Sequence, residues 1–258
     1  MRHAPPEFSN MSASPSKPPK FSLGRLFLPA RLHERFQLER YHVCQFLREN
    51  AIPLLKPGMK VLDAGSGHLA EQVMREELLA TGISLTTIDM NPGPGVDFTG
   101  DVSAMPFEDA AYDVVICTQV MEHVQSPERT CRELVRVLKP GGILFATAPQ
   151  SAPLHNIPWH YFNPTKFGWK LLMEQNQMEV VAIKPQGAHF SQLATALHYT
   201  VPVIEQSSMP GWLKMPASLL ARALFGFVAK LILVPLDRYD TQARNAGGWC
   251  VHARKPLA

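Results

Sequence analysis

The chain has 258 residues, 46% of them hydrophobic, and a formal net charge of +3 at pH 7. That length fits one α/β domain with appendages, and so small a charge, with no basic run interleaved with aromatics, excludes nucleic acid as the expected partner. Cys44, Cys117, Cys131 and Cys250 lack metal-ligand spacing and read as reduced thiols; with no secretory-type apolar run near residue 1, a cytoplasmic location is expected.

Residues 1–20 hold Pro5, Pro6, Pro15, Pro18 and Pro19 among serines, which predicts a disordered tail. Residues 21–57 follow as a helical cap, with helical periodicity over Arg31–Leu55 through Phe36, Leu38, Val43, Phe46 and Leu47. A core over 58–186 then opens with a buried strand ending at Val61-Leu62, broken by Asp63, Gly65 and Gly67, and a helix over Leu69–Ala80. Further strands are expected at Ile83–Ile88, Val96–Thr99 and Tyr112–Thr118. Pro127 opens a helix over Glu128–Leu138 with Ser126 as its N-cap. Lys139-Pro140-Gly141-Gly142 should stop that helix ahead of a fifth strand, Ile143–Ala148. After a loop at Pro149–Pro164, Thr165 caps a helix over Lys166–Gln175 and Glu179–Ile183 forms a sixth strand. Residues 187–248 form a helical insert, and 249–258 carry a last strand, Trp249–Arg254, antiparallel beside the sixth.

A strand, a glycine turn and a helix in that order make a nucleotide-type cofactor site at the carboxyl edge of a parallel sheet. Gly65-Ser66-Gly67-His68-Leu69-Ala70 satisfies a dinucleotide pattern that seats a pyrophosphate on a helix N-terminus. Asp63 argues against it, because a carboxylate there repels a pyrophosphate, whereas it suits the cationic end of S-adenosylmethionine; a turn or helix-capping role for Asp63 is the plainer alternative. Asp89, at the end of the second strand, can accept the ribose hydroxyls, as it would in either kind of enzyme. Asp101 does discriminate: it can accept the adenine amino hydrogens while the Val102 N–H meets a ring nitrogen.

Six segments carry a resemblance: Val61-Leu-Asp-Ala-Gly-Ser-Gly67, Thr87-Ile-Asp89, Gly100-Asp-Val102, Met105-Pro-Phe107, Met121-Glu-His-Val124 and Arg136-Val-Leu-Lys-Pro-Gly-Gly142. In this order and spacing, residues 58–149 resemble a class I S-adenosylmethionine-dependent methyltransferase of the type 11 family. The resemblance implies a Rossmann-like seven-stranded sheet, mostly parallel with the last strand antiparallel and helices on both faces. It implies an enzyme with S-adenosyl-L-methionine as cofactor, held by Asp63, Gly65, Ser66, Gly67, Asp89, Met90, Asp101, Val102, Thr118 and Gln119. Met90 would lie along an adenine face, and Thr118 and Gln119 along the methionine end. Leu69 departs from the family, which usually has a third glycine there. A non-catalytic methyltransferase-like scaffold and an NAD-dependent oxidoreductase are the rival readings.

Methyl transfer from a sulfonium is an in-line displacement that needs little beyond positioning, though a hydroxyl acceptor benefits from a general base. His123 and His160 are the candidates, His123 for second-sphere hydrogen bonding or proton transfer and His160 for proton transfer. Relatives carry an acidic residue and an arginine where this chain has His160 and Asn163, so no role carries over there. No metal is expected, because no Cys or acidic ligand accompanies His155 and His160. Within the insert, Pro216–Leu236 is apolar apart from Arg222 and Lys230. It reads as a helix lying in a membrane interface with its cations toward anionic headgroups, and so as a peripheral membrane contact for a small-molecule or lipid-linked acceptor; packing within the protein is the alternative.

Overall fold

A computed structural model describes residues 37–67 and 72–257. The expected tail, the start of the cap helix and the Leu69 departure lie outside the described residues. Seven strands form one sheet in the order β3-β2-β1-β4-β5-β7-β6. They are β1 (Lys60–Ala64), β2 (Ser84–Asp89), β3 (Phe98–Thr99), β4 (Tyr112–Thr118), β5 (Leu138–Pro149), β6 (Glu179–Pro185) and β7 (Gly248–Arg254). The first five pair in parallel. β7 inserts between β5 and β6 and runs antiparallel to both. The central strands are continuous apolar runs because both faces are covered: Val61, Leu62, Val115 and Cys117 are each at most 1% exposed.

The helices are α1 (Leu38–Asn50), α2 (Gln72–Leu79), α3 (Pro127–Arg136), α4 (Lys166–Gln175), α5 (His189–His198) and α6 (Thr200–Gln206), followed by a long helix, α7 (Gly211–Tyr239). Ser126 caps α3 by accepting the Arg129 N–H, and Thr165 caps α4 by accepting that of Gly168. α3 ends at Arg136, two residues earlier than the pattern predicts. Lys139-Pro140-Gly141-Gly142 is not a linker but part of β5, whose register against β4 shifts between Tyr112 and Val114. Gly142 is required there: a Cβ would stand 2.8 Å from the Lys139 carbonyl and 3.1 Å from that of Asp113. Two of the family-like segments are joined by α3. Arg136 donates to the carbonyls of Met105 and Phe107, and the Met105 N–H donates to Glu133.

In the insert, α7 runs through a wider π-type segment at Arg222–Val228. It lies along the body of the protein. Asp237, near its end, accepts the N–H groups of Ala188, Phe190 and Ser191 at 2.8–3.0 Å and so caps α5. The Tyr199 hydroxyl, which follows α5, donates to Glu39 of α1. The expected outward orientation of the two cations fails for Lys230. Lys230 is 8% exposed and turned toward the protein, and Arg222 pairs with Glu205 at 2.6 Å. They share one side of the helix, as their eight-residue spacing requires, but only Lys230 packs inward; the Arg222 side chain stays 60% exposed beside Glu205.

Candidate functional site

In a sheet of this order the chain leaves β1 toward β2 on one side and reaches β4 on the other. The crevice beyond the carboxyl ends of β1 and β4 is therefore the place where a ligand can enter between diverging loops. The loops there are Gly65–Gly67 and Gln119–His123. Gly65 (φ +82°) and Gly67 (φ +64°) both take the left-handed conformation, but for different reasons. A Cβ on Gly65 would fall 2.2 Å from Val120 Cγ2, so this glycine lets the two loops pack together. A Cβ on Gly67 would meet nothing within 4 Å among the described residues. The Gly65 and Ser66 N–H groups donate to the Ile88 carbonyl, which fastens the turn to β2.

The other expected residues line the same edge in strand order. Asp63 stands in β1, in register with Thr87 of β2 and Ile116 of β4. Asp89 ends β2; its two oxygens accept the N–H groups of Gly67 and Asn91, each at 2.9 Å, which locks the carboxylate in one rotamer. Each oxygen keeps a second lone pair for a ligand hydroxyl. Met90, beside it, is 62% exposed. Asp101 follows β3 and is held by the Ser103 N–H at 2.7 Å, with Val102 buried under it. At the end of β4, Thr118 is buried, and Gln119 adopts φ +55°, a conformation that a non-glycine residue takes only where its surroundings enforce it. Its N–H donates to the Thr147 carbonyl and its side-chain amide to the Thr147 hydroxyl. The edge thus carries a carboxylate at each of three neighbouring strand ends, an exposed methionine and a glycine turn. These groups fit an adenine, a ribose and a cationic amino-acid end.

Three histidines gather beside this edge, as their placement after β4 and β5 implies. The His123 and His155 rings lie 4.8 Å apart, those of His155 and His160 4.4 Å apart. His160 has both nitrogens engaged, Nδ1 with the His155 N–H at 3.4 Å and Nε2 with Asn163 Oδ1 at 2.8 Å. These bonds tie the loop together, and the two altered positions are partners of one another. His123 Nδ1 donates to the Trp159 carbonyl at 2.5 Å, and Asn156 donates to its Nε2 at 3.3 Å. Burial lowers the His123 pKa, the neighbouring histidines adding to the effect against the Trp159 hydrogen bond, so the ring is neutral near pH 7.

Glu122 is the residue that sequence reasoning missed. It is 1% exposed, its pKa is pushed up to about 8 by burial, and its Oε1 lies 3.8 Å from His123 Nε2. The signal was a carboxylate between the apolar Met121 and Val124 at a strand's carboxyl end. The acidic group whose absence argued against a metal is therefore present: Glu122, His123 and His155 each offer a ligand atom within 4.8 Å of the others.

Residues 62–146 match the family described as a methyltransferase domain. The demethylmenaquinone methyltransferase of Renibacterium salmoninarum is 32% identical over 98 residues, 34% of this chain and 40% of that protein. The sterol 24-C-methyltransferase of Gibberella zeae is 35% identical over 105 residues, 34% of this chain and 27% of that protein. The chain thus spans less than half the length of these curated relatives. Among solved structures, the [4+2]-cyclase SpnF superposes with a TM-score of 0.53 at 21% identity, over 85% of this chain and 82% of that one, which shows a shared fold. The six segments and the strand order agree with the family match over residues 62–146: that part of the sheet domain is similar to a methyltransferase domain.

Proposed function

We propose that the protein transfers a methyl group from S-adenosylmethionine to a small acceptor with a lipid portion. The observation that carries the cofactor part is the set of strand-end carboxylates: Asp63, Asp89 and Asp101 at successive edge positions. In this reading Asp63 faces the amino-acid end, Asp89 holds the ribose, and Asp101 with Val102 holds the adenine. The acceptor's lone pair attacks the methyl carbon in line as the C–S bond breaks, its electron pair staying on sulfur and the acceptor's proton leaving to solvent or a nearby base. Alignment supplies most of the acceleration.

The lipid part rests on α7. It is 29 residues long with a mean hydropathy of 2.0 over its most apolar window, of which 17% is buried. Because one side is fastened to α5 and α6, α7 fits lying on a bilayer better than crossing it. Leu219, Leu220, Leu231 and Ile232 are each more than half exposed, and Trp212 and Tyr239 stand near its two ends. Aromatic side chains of this kind favour the headgroup level and leucines the acyl boundary. With Lys230 turned inward and Arg222 paired with Glu205, apolar burial more than attraction to anionic lipid would drive the contact. The quinone and sterol acceptors in the names of the two relatives are themselves lipophilic, in accord with this reading.

Two measurements test the proposal. S-adenosylhomocysteine should raise the melting temperature while NAD does not; at a hundred times its dissociation constant a ligand adds about 2.7 kcal/mol. Stabilisation by NAD alone would overturn the cofactor assignment. Labelled S-adenosylmethionine with a lysate divided into lipid, glycan, protein and RNA fractions should place label in the lipid fraction; binding without transfer to any fraction would favour a scaffold.

A further inference from the structure

We propose that Glu122, His123 and His155 bind a divalent transition-metal ion of the zinc class at the acceptor side of the cofactor crevice. The three come from two loops, Glu122 and His123 after β4 and His155 after β5, and the parallel pairing of those strands brings them together. Both histidines already make the Nδ1 hydrogen bond that orients a ligating imidazole. His123 directs its Nδ1–H to the Trp159 carbonyl and His155 directs its own to the Pro153 carbonyl at 3.0 Å. Each Nε2 is thereby left as the basic nitrogen, the pattern in which a backbone carbonyl orients a metal-ligating imidazole.

Glu122 supplies an independent observation. Its Oε2 is buried with no hydrogen-bond partner among the described residues, an arrangement that costs free energy unless something else meets that oxygen. A cation would. Two imidazoles and a carboxylate suit zinc, iron(II) or manganese(II) far better than magnesium or calcium, which prefer all-oxygen sets. Ligand atoms at about 2.1 Å from one ion lie about 3.4 Å apart in a tetrahedral site, so the 4.8 Å cluster must close somewhat. Rotation of the two half-buried histidines supplies that closure, and the long Asn156 contact to His123 gives way to the ion. Three protein ligands leave a coordination position open. An acceptor oxygen bound there would lose its proton to water more readily, the role otherwise asked of a general base.

The ion-binding claim stands apart from the methyl-transfer reading, and the test keeps them apart. Untagged full-length protein, freed of metal by chelation, is titrated with Co2+, Zn2+ and Mg2+ by calorimetry, and the Co2+ complex is followed by its visible absorption. One Co2+ or Zn2+ per chain is expected, with the absorption of a four- or five-coordinate site and far weaker binding of Mg2+. His155→Ala and Glu122→Gln should each weaken Co2+ binding at least tenfold, whereas His189→Ala, at an exposed histidine elsewhere, should not. If Glu122→Gln fails to fold by circular dichroism, His155→Ala on its loop decides. Absence of Co2+ binding, affinity unchanged in His155→Ala, or Mg2+ binding as tight as Co2+ would overturn the proposal. Stabilisation by S-adenosylhomocysteine, measured on the same samples without metal, reports separately on the cofactor site.

Discussion

At the carboxyl edge of the sheet, carboxylates stand at the strand ends above a packed core; along α7 Lys230 turns to the protein and leucines face out. Both regions obey the same physics. At the edge the core is completed by α3, α4 and the sheet itself, so the polar groups that remain are those a small polar ligand can satisfy. On α7 the polar contacts are completed internally, by Glu205 with Arg222 and Ser218 and by Asp237 with the α5 N-terminus. What remains outside is a surface that water does not favour. An outward apolar stripe and an inward-facing lysine are informative for the reason that burial usually sorts them the other way.

The largest way to sharpen this contrast is Trp169→Ala in α4. Trp169 is fully buried in the sheet-side core, and its loss should cost about 3–5 kcal/mol and lower the melting temperature by roughly ten degrees. Next, Gly65→Ala should destabilise by about 1–3 kcal/mol, because its methyl group meets Val120 in an already packed seam. Chemical denaturation should show that loss with or without ligand; an intact fold that merely fails to bind S-adenosylhomocysteine would place the clash with the ligand instead. Asp101→Ala should leave the fold intact and weaken S-adenosylhomocysteine binding by about 1–3 kcal/mol by calorimetry, the value of a lost charged hydrogen bond.

For α7 the expected stability effect is smaller and the binding effect is the readout. Leu220→Glu with Leu231→Glu replaces two exposed side chains, 60% and 55% accessible, so stability should move by no more than about 0.5 kcal/mol per site. Flotation on vesicles, neutral or anionic, should be lost. If the double variant unfolds or a dimer dissociates, the stripe is an interface within the protein or between copies. The smallest effect concerns Glu205, whose pKa is lowered by the Ser218 hydroxyl first and by Arg222 next. A carboxylate with a depressed native pKa stabilises the fold above its ordinary value of 4.5, and that stabilisation fades as pH falls through the native pKa. The stability difference between wild type and Glu205→Gln should therefore be present at pH 6 and vanish as pH falls well below 4.5; a difference that grows in acid contradicts the pairing.

Much of the fold was legible because its signals are local. Periodicity marks α4 and its Thr165 cap, continuous apolar runs mark β1 and β4, and a carboxylate or glycine ends or directly follows β1, β2 and β3. The same locality explains what went astray. Pro140-Gly141-Gly142 reads as punctuation, yet the bulge that admits it depends on Asp113 across the sheet. The roles of Gly65 and Gly67 are alike in sequence and differ only through Val120. Glu122 and His155 are 33 positions apart, and only the β4–β5 pairing makes them neighbours. The side on which Arg222 and Lys230 lie follows from their spacing, but whether that side meets lipid or protein was set by Glu205, α5 and α1. Sequence determines which faces are apolar and where strands end, since these follow from neighbouring residues. The tertiary structure alone decides which of those faces and termini meet, because that choice depends on contacts between residues far apart along the chain.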